Sequence, residues 1–467
     1  MIKKILLLLL VLTIIVTPAV AQNNNSEPGQ GSRYSPPEFD IQSAAAILID
    51  VKTGEMLYEH NKDADRQPAS LTKAMTGLVV IGHLESGEIS MDDMVTVSKE
   101  AITGFGNDSS SQGLKEGEEI NFKDLLYCAL ISSSNESCNV IAQHISGSVE
   151  AFVAEMNEKA AALGMTNTNF INTHGYFTNS LSDPLAATHR TTAYDMYLLC
   201  AEIMRHEELI KIFYTEKYTT APTNKTPGGR NLNTTNRLIA RRSSDPDDPE
   251  NTKYRYPEAK GIKTGFTNAA GYCLATCAEK DGRVLICVVM GAQQEEDTKL
   301  IRSFTEARAL FEWGFNNFRM EKVLAKGTDV RAEVSVSLGK DSDRVALVPQ
   351  EDLWALVQLP YTALKPEDLN PVFEPNVTAP VTKGQILGSI TIPGYGTVDL
   401  VANVDVKLDG AESLKQFFLN LLKKFWWVIA VVLGLVISYI ILLIIYNYKR
   451  KKQKETVYGN YKGKKKK

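Results

Sequence analysis

Apolar and polar positions change their pattern several times along the chain. Residues 5–16 form an apolar run broken only by Thr13, behind the short basic start Met1-Ile2-Lys3-Lys4. Ala19-Val20-Ala21 then fits a small-residue cleavage site, so a signal peptide is predicted over residues 1–21. Residues 22–40, rich in Asn, Ser, Pro and Gly, read as a flexible leader. Globular text follows. Ala44-Ala45-Ala46-Ile47-Leu48-Ile49-Asp50, the turn Thr53-Gly54 and Met56-Leu57-Tyr58 predict a hairpin. Helical spacing covers residues 70–84, 122–131, 139–144 and 149–163, the first helix beginning just after Pro68. Residues 272–278 and 283–290 predict two strands around Glu279-Lys280-Asp281-Gly282, and residues 300–318 a closing helix. Strands open and close this region while helices fill its middle, an α+β domain over residues 41–320.

Beyond it the helical period disappears. Residues 321–409 carry short alternating stretches separated by Pro and Gly, which predict a small β-rich domain. Residues 410–424 mix Leu414, Phe417, Phe418, Leu421 and Leu422 with lysines, as an amphipathic juxtamembrane segment does. The 22 residues 425–446 hold no charge and, at about 33 Å as a helix, reach across a hydrocarbon core. Phe425, Trp426 and Trp427 at one end and Tyr446 and Tyr448 at the other suit the two interfaces. Lys449-Arg450-Lys451-Lys452 opens a basic tail over residues 447–467, which places the tail in the cytoplasm and the body outside it.

Charge and cysteine content sharpen this picture. The net charge is −4, and the tail holds ten Lys/Arg against one Glu, so the rest of the chain stands at −13. So acidic a body repels phosphate backbones and makes nucleic acid an unsuitable partner. The 6 cysteines of this exported chain sit singly in apolar contexts and read as buried free thiols, with a single bridge left open. None has zinc-site or redox spacing, His174 and His189 belong to no metal-spaced cluster, and no cofactor is expected.

Three short motifs carry the candidate chemistry. In Pro68-Ala69-Ser70-Leu71-Thr72-Lys73, helical spacing puts Lys73 one turn from Ser70, where a neutral amine can take the hydroxyl proton. In Ser133-Ser134-Asn135, Ser133 can relay a proton and the Asn135 amide can hold a carbonyl and the lysine. In Lys263-Thr264-Gly265, followed by Phe266, a cation and a hydroxyl stand on a strand whose glycine permits close backbone approach. An extended peptide can add along that strand, and the backbone N–H groups of Ser70 and Phe266 are the candidate oxyanion donors. Each motif alone is common: a capping serine, a Ser-rich helix connection, a strand end.

In this order the three form S-x-x-K, S-x-N and K-T-G, and the chain resembles the penicillin-recognising serine peptidases, in particular the low-molecular-mass D-alanyl-D-alanine carboxypeptidases. Asn172-Thr173-His174-Gly175, Asn233-Thr234-Thr235-Asn236-Arg237-Leu238 and Gly261-Ile262-Lys263-Thr264-Gly265-Phe266-Thr267 are also similar to that family, and residues 379–385 are similar to its β-rich C-terminal domain. The resemblance implies a β-lactamase/transpeptidase-like catalytic domain. It also implies Ser70 as nucleophile, Lys73 as base, Ser133 as relay, and Asn135, Lys263, Thr264 and Phe266 as substrate contacts. Its implied substrates are peptidoglycan stem peptides ending in D-Ala-D-Ala, with β-lactams as inhibitors. Arg302 reads as a surface helix arginine rather than a carboxylate contact. Residues 241–257, with Asp245-Pro246-Asp247-Asp248-Pro249, read as a solvated surface insertion. A serine β-lactamase shares the triad, but no E-x-x-L-N lies between Asn135 and Lys263. An endopeptidase of the same superfamily and an inactive membrane-anchored binding protein complete the alternatives.

Overall fold

The computed structural model describes residues 33–240 and 248–463. The signal peptide, most of the leader, the start of the insertion and the last four residues of the tail lie outside the described residues. The chain divides into two compact units, residues 1–320 with 356–361, and residues 321–355 with 362–467.

The first unit is built on one sheet. Strands β1 (Ala45–Asp50) and β2 (Met56–His60) form the N-terminal hairpin, turning at Gly54 with φ +71°. Helices α1 (Thr72–Ser86), α2 (Phe122–Leu130), α3 (Asn135–Ser146), α4 (Val149–Ala162) and α5 (Ala193–Ile203) fill the middle. Strands β3 (Ala259–Thr267), β4 (Gly271–Lys280) and β5 (Arg283–Ala292) and helix α6 (Arg302–Asn317) close it. The sheet is antiparallel, in the order β2-β1-β5-β4-β3, so first and last strands meet through the β1–β5 pair. Asp281 and Gly282, at φ +51° and +75°, make the β4–β5 turn that the sequence predicts.

Because strand side chains alternate, the sheet feeds two cores. Ala45, Ile47 and Ile49 face the helical body with Met75, Leu78 and Met196, while Ala46 and Leu48 face α6 with Ala307, Leu310 and Phe311. Each buried Leu, Ile or Phe contributes roughly 1.5–3 kcal/mol. Helix α5 is absent from the sequence expectation, although Thr192 caps it by accepting from the Asp195 N–H. Helix α3 begins at Asn135, earlier than residue 139, because Ser134 caps it. The insertion needs a correction. Pro249–Lys253 is helical, and Tyr254 and Tyr256 pack against Phe304 and Phe311 in the core under α6 rather than lying in solvent.

The second unit is a six-stranded sheet of β6 (Ala332–Ser337), β7 (Arg344–Pro349), β8 (Pro371–Phe373), β9 (Asn376–Thr378), β10 (Ile386–Ile392) and β11 (Gly396–Ala402), ordered β8-β10-β11-β7-β6-β9. Strict alternation in β6 buries Val334 and Val336 and exposes Glu333 and Ser335. Helix α7 (Gly410–Gly463) then runs 54 residues without a break at 424/425. It is the one helix among the described residues long and apolar enough to cross a membrane, which is compatible with membrane anchoring.

All six cysteines are free and buried.

Candidate active site

The chain turns into α1 through a single 3-10 turn, Ala69–Leu71. Ala69 adopts φ +47°, a conformation that costs a non-glycine residue of order 1 kcal/mol or more. Its carbonyl accepts from Thr72 Oγ1 at 2.8 Å, and Thr72 Oγ1 in turn meets His189 Nε2 at 2.8 Å. His189 Nδ1 accepts the Ile171 N–H, so Nε2 carries the ring proton and donates to Thr72. Burial holds the His189 pKa down to about 3, keeping the ring neutral. Gly175 packs against the same turn: at φ +78°, a Cβ there would fall 1.8 Å from the Ala69 carbonyl oxygen. The Asn172-Thr173-His174-Gly175 motif is therefore a brace behind the turn that carries Ser70. Asn172 Oδ1 accepts from the N–H groups of His174 and Gly175, His174 Nδ1 accepts the Tyr176 N–H, and the His189 ring is engaged with Thr72 and Ile171.

Lys73 is fully buried and its Nζ has three oxygen partners: Ser70 Oγ at 2.8 Å, Asn135 Oδ1 at 2.6 Å and the His174 carbonyl at 3.0 Å. Desolvation lowers its pKa to about 8, against smaller opposing effects of Cys138 and Glu136. A lysine with a lowered pKa in contact with a serine hydroxyl is an arrangement able to take that hydroxyl's proton. The geometry thus joins Ser70, Lys73 and Asn135. Ser133 is buried at the α2–α3 connection with φ +63°, and its hydroxyl makes no hydrogen bond to those three side chains.

The third motif lies on β3, at one edge of the sheet. A Cβ on Gly265 would come 2.9 Å from the Ser70 N and 3.0 Å from the Pro68 carbonyl, so the strand passes Ser70 at glycine-only distance. Lys263 is buried and donates to the Thr264 carbonyl at 3.0 Å. Burial first, and the Lys73 ammonium second, push its pKa well below the usual lysine range. Two lysines therefore share a desolvated site, and an incoming carboxylate would supply the missing counter-charge. The Thr264 hydroxyl bonds the Thr235 hydroxyl, and Asn236 Nδ2 donates to the Gly261 carbonyl at 2.9 Å, which explains the Asn233–Leu238 motif as support for the strand. Phe266 is 51% exposed and packs on Tyr272, ring centroids 4.3 Å apart. Arg302 lies at the start of α6, where its charge acts on Glu306. A cavity of about 480 Å³ opens beside His174, bounded by Phe105, Asn139, Asn172, Tyr176 and Asp183.

Residues 30–294 match the family model described as D-alanyl-D-alanine carboxypeptidase, more than half of the chain. The chain belongs to this family. Residues 318–408 match the penicillin-binding protein 5 C-terminal domain. The D-alanyl-D-alanine carboxypeptidase DacF of Bacillus subtilis is 32% identical over 400 residues, 84% of this chain and 91% of that protein. DacD of Salmonella typhimurium is 32% identical over 69% of this chain and 74% of its own length. Among solved structures, penicillin binding protein 5 of Haemophilus influenzae superposes with a TM-score of 0.55 at 29% identity, covering 80% of this chain and 99% of that one. Membership accounts for the co-occurrence of the three motifs on one wall of the first unit and for the β-rich second unit.

What sequence reasoning missed is the surroundings. The carbonyl of His174, not its ring, serves Lys73. Ser109 Oγ accepts from Asn135 Nδ2 at 2.7 Å, and a buried Glu136 follows Asn135 directly. Neither Ser109 nor Glu136 belongs to any of the motifs named from the sequence.

Proposed function

We propose that the protein is a serine-type D-Ala-D-Ala carboxypeptidase that shortens peptidoglycan stem peptides by one D-alanine. Ser70 Oγ adds to the carbonyl carbon of the penultimate D-alanine while its proton passes to Lys73 Nζ. Collapse breaks the C–N bond, and the proton travels by way of Ser133 to the leaving D-alanine nitrogen. Water then adds to the ester carbonyl, the Oγ–C bond breaks, and Ser70 regains a proton as the shortened peptide leaves. The N–H groups of Ser70 and Phe266 are the oxyanion donors. Asn135 holds the substrate amide, and Lys263 with Thr264 receives the terminal carboxylate. A β-lactam, whose strained amide mimics the scissile bond, acylates Ser70 by the same route.

The observation that carries this reading is the 2.8 Å contact between a half-buried Ser70 hydroxyl and a fully buried lysine whose pKa is lowered to about 8. Residues 1–21 serve as the export signal, residues 425–446 span the membrane, and the basic tail stays in the cytoplasm. The catalytic unit then faces the wall. The division into a catalytic domain at 41–320 and a β-rich domain at 321–409 completes the proposed organisation. A fluorescent penicillin tests the assignment: it should attach covalently to wild type and not to Ser70→Ala. Equal attachment to both, or to neither, would remove Ser70 from the role.

A further inference from the structure

A strap of backbone, residues 109–113, crosses the connection between α2 and α3, and nothing in the reaction above uses it. Its peptide groups are gripped from two sides. Glu136 Oε1 accepts from the Gln112 N–H at 2.7 Å, the Gly113 N–H at 3.1 Å and the Ser111 hydroxyl at 2.6 Å. From the other side, Arg230 Nε donates to the Gln112 carbonyl at 2.9 Å and Nη2 to the Gly113 carbonyl at 3.4 Å. Arg230 also pairs with Glu118 through both Nη atoms, at 2.8 and 2.9 Å. Glu136, Glu118 and Arg230 are all buried. Burying two carboxyl groups and a guanidinium opposes folding unless their polar atoms find partners, and apart from Glu136 Oε2, which has none, the contacts of Glu136 and Arg230 grip this strap from both sides.

What the strap carries is Ser109 and Ser110. The Ser110 carbonyl accepts from the Asn135 N–H at 2.9 Å, and its hydroxyl donates to the Ser132 carbonyl at 3.0 Å. Ser109 Oγ accepts from Asn135 Nδ2 at 2.7 Å, while Asn135 Oδ1 accepts from Lys73 at 2.6 Å. The amide is therefore pinned at both ends. The Lys73 end changes as that amine gains and loses a proton during the reaction. The Ser109 end joins two neutral groups, so no proton transfer of the proposed reaction bears on it directly. Asn135 Nδ2 keeps a second N–H for a substrate carbonyl.

We infer that Ser109 is a positioning residue of the acyl transfer, holding the Asn135 amide against Lys73 from a strap clamped by Glu136 and Arg230. The inference rests on the reading of Ser70 as the acylated nucleophile. Ser109 is half-buried, so its substitution leaves the core intact. In the full-length protein, Ser109→Ala should slow acylation by a fluorescent penicillin about tenfold, the effect of one lost hydrogen bond at a reacting centre. Ser109→Thr, which keeps the hydroxyl, should recover most of that rate, and melting temperatures should match wild type. Ser109→Ala and Glu136→Ala should combine less than additively, since both act through one chain of contacts. A wild-type acylation rate in Ser109→Ala, equal losses in the Ala and Thr variants, or full additivity with Glu136→Ala would overturn the inference. Failure of wild type itself to take the label would instead overturn the Ser70 reading.

Discussion

Among the described residues, every buried charged side chain, from Asp50 through Lys73, Glu136, Arg230 and Lys263 to Glu306, lies in the first unit. The core of the second unit, with Val334, Val336, Leu347, Ile390 and Leu400, is apolar, and its ion pairs Lys322–Asp352, Arg331–Glu367 and Arg344–Glu333 are open to water. Both units have an apolar core. The first also carries desolvated charge, which opposes folding: Asp50 and Glu306 are held by local structural contacts, with Arg283 and with the Gln42 N–H, whereas Lys73 and Lys263 gather beside Ser70. The contrast sets the two buried lysines of the candidate site apart from the residues that only hold either unit together.

The sharpest way to break that contrast is at Lys73. Lys73→Met should lower penicillin acylation by roughly 10²–10⁴-fold, the usual contribution of a positioned base, while the melting temperature holds or rises. A variant that still acylates at the wild-type rate would move the base elsewhere. In the second unit the expectation reverses. Leu400→Ala should cost that unit about 2–5 kcal/mol in a denaturation experiment and leave the acylation rate unchanged. Loss of acylation there would tie the two units together.

A pH profile tests the buried charge without mutation. In its proposed role as base Lys73 must be unprotonated, and burial lowers its pKa to about 8. The acylation rate should therefore rise with pH through about 8 and fall about tenfold per unit below it. An acidic limb above pH 10, as for a lysine in water, would contradict the desolvated site. The smallest effect belongs to surface charge. Glu333→Ala removes an exposed pair with Arg344 at 3.5 Å and should shift stability by no more than about 0.5 kcal/mol. A larger change would mean that the second unit also depends on electrostatics.

Much of the first unit was legible because local rules act over short spans. The Asp281-Gly282 turn announces its hairpin, and the i, i+3 spacing of Ser70 and Lys73 announces their contact. Alternation in Ala332–Ser337 was enough to expose a β-rich second unit. What stayed hidden depends on partners far apart in the chain. Glu118 meets Arg230 across more than a hundred residues, and Ser109 reaches Asn135 across 26. Tyr254 and Tyr256 sit beside an Asp/Pro-rich stretch whose polarity suggested solvent, yet their rings fill the space under α6. Burial of that kind follows from tertiary packing, which no local pattern encodes.

The most direct test of the account is mass spectrometry of a pentapeptide stem ending in D-Ala-D-Ala after incubation with the purified protein. The account predicts loss of a single terminal D-alanine with wild type and an unchanged peptide with Ser70→Ala. A pentapeptide left intact by wild type, or shortened equally by the Ser70→Ala variant, would contradict it.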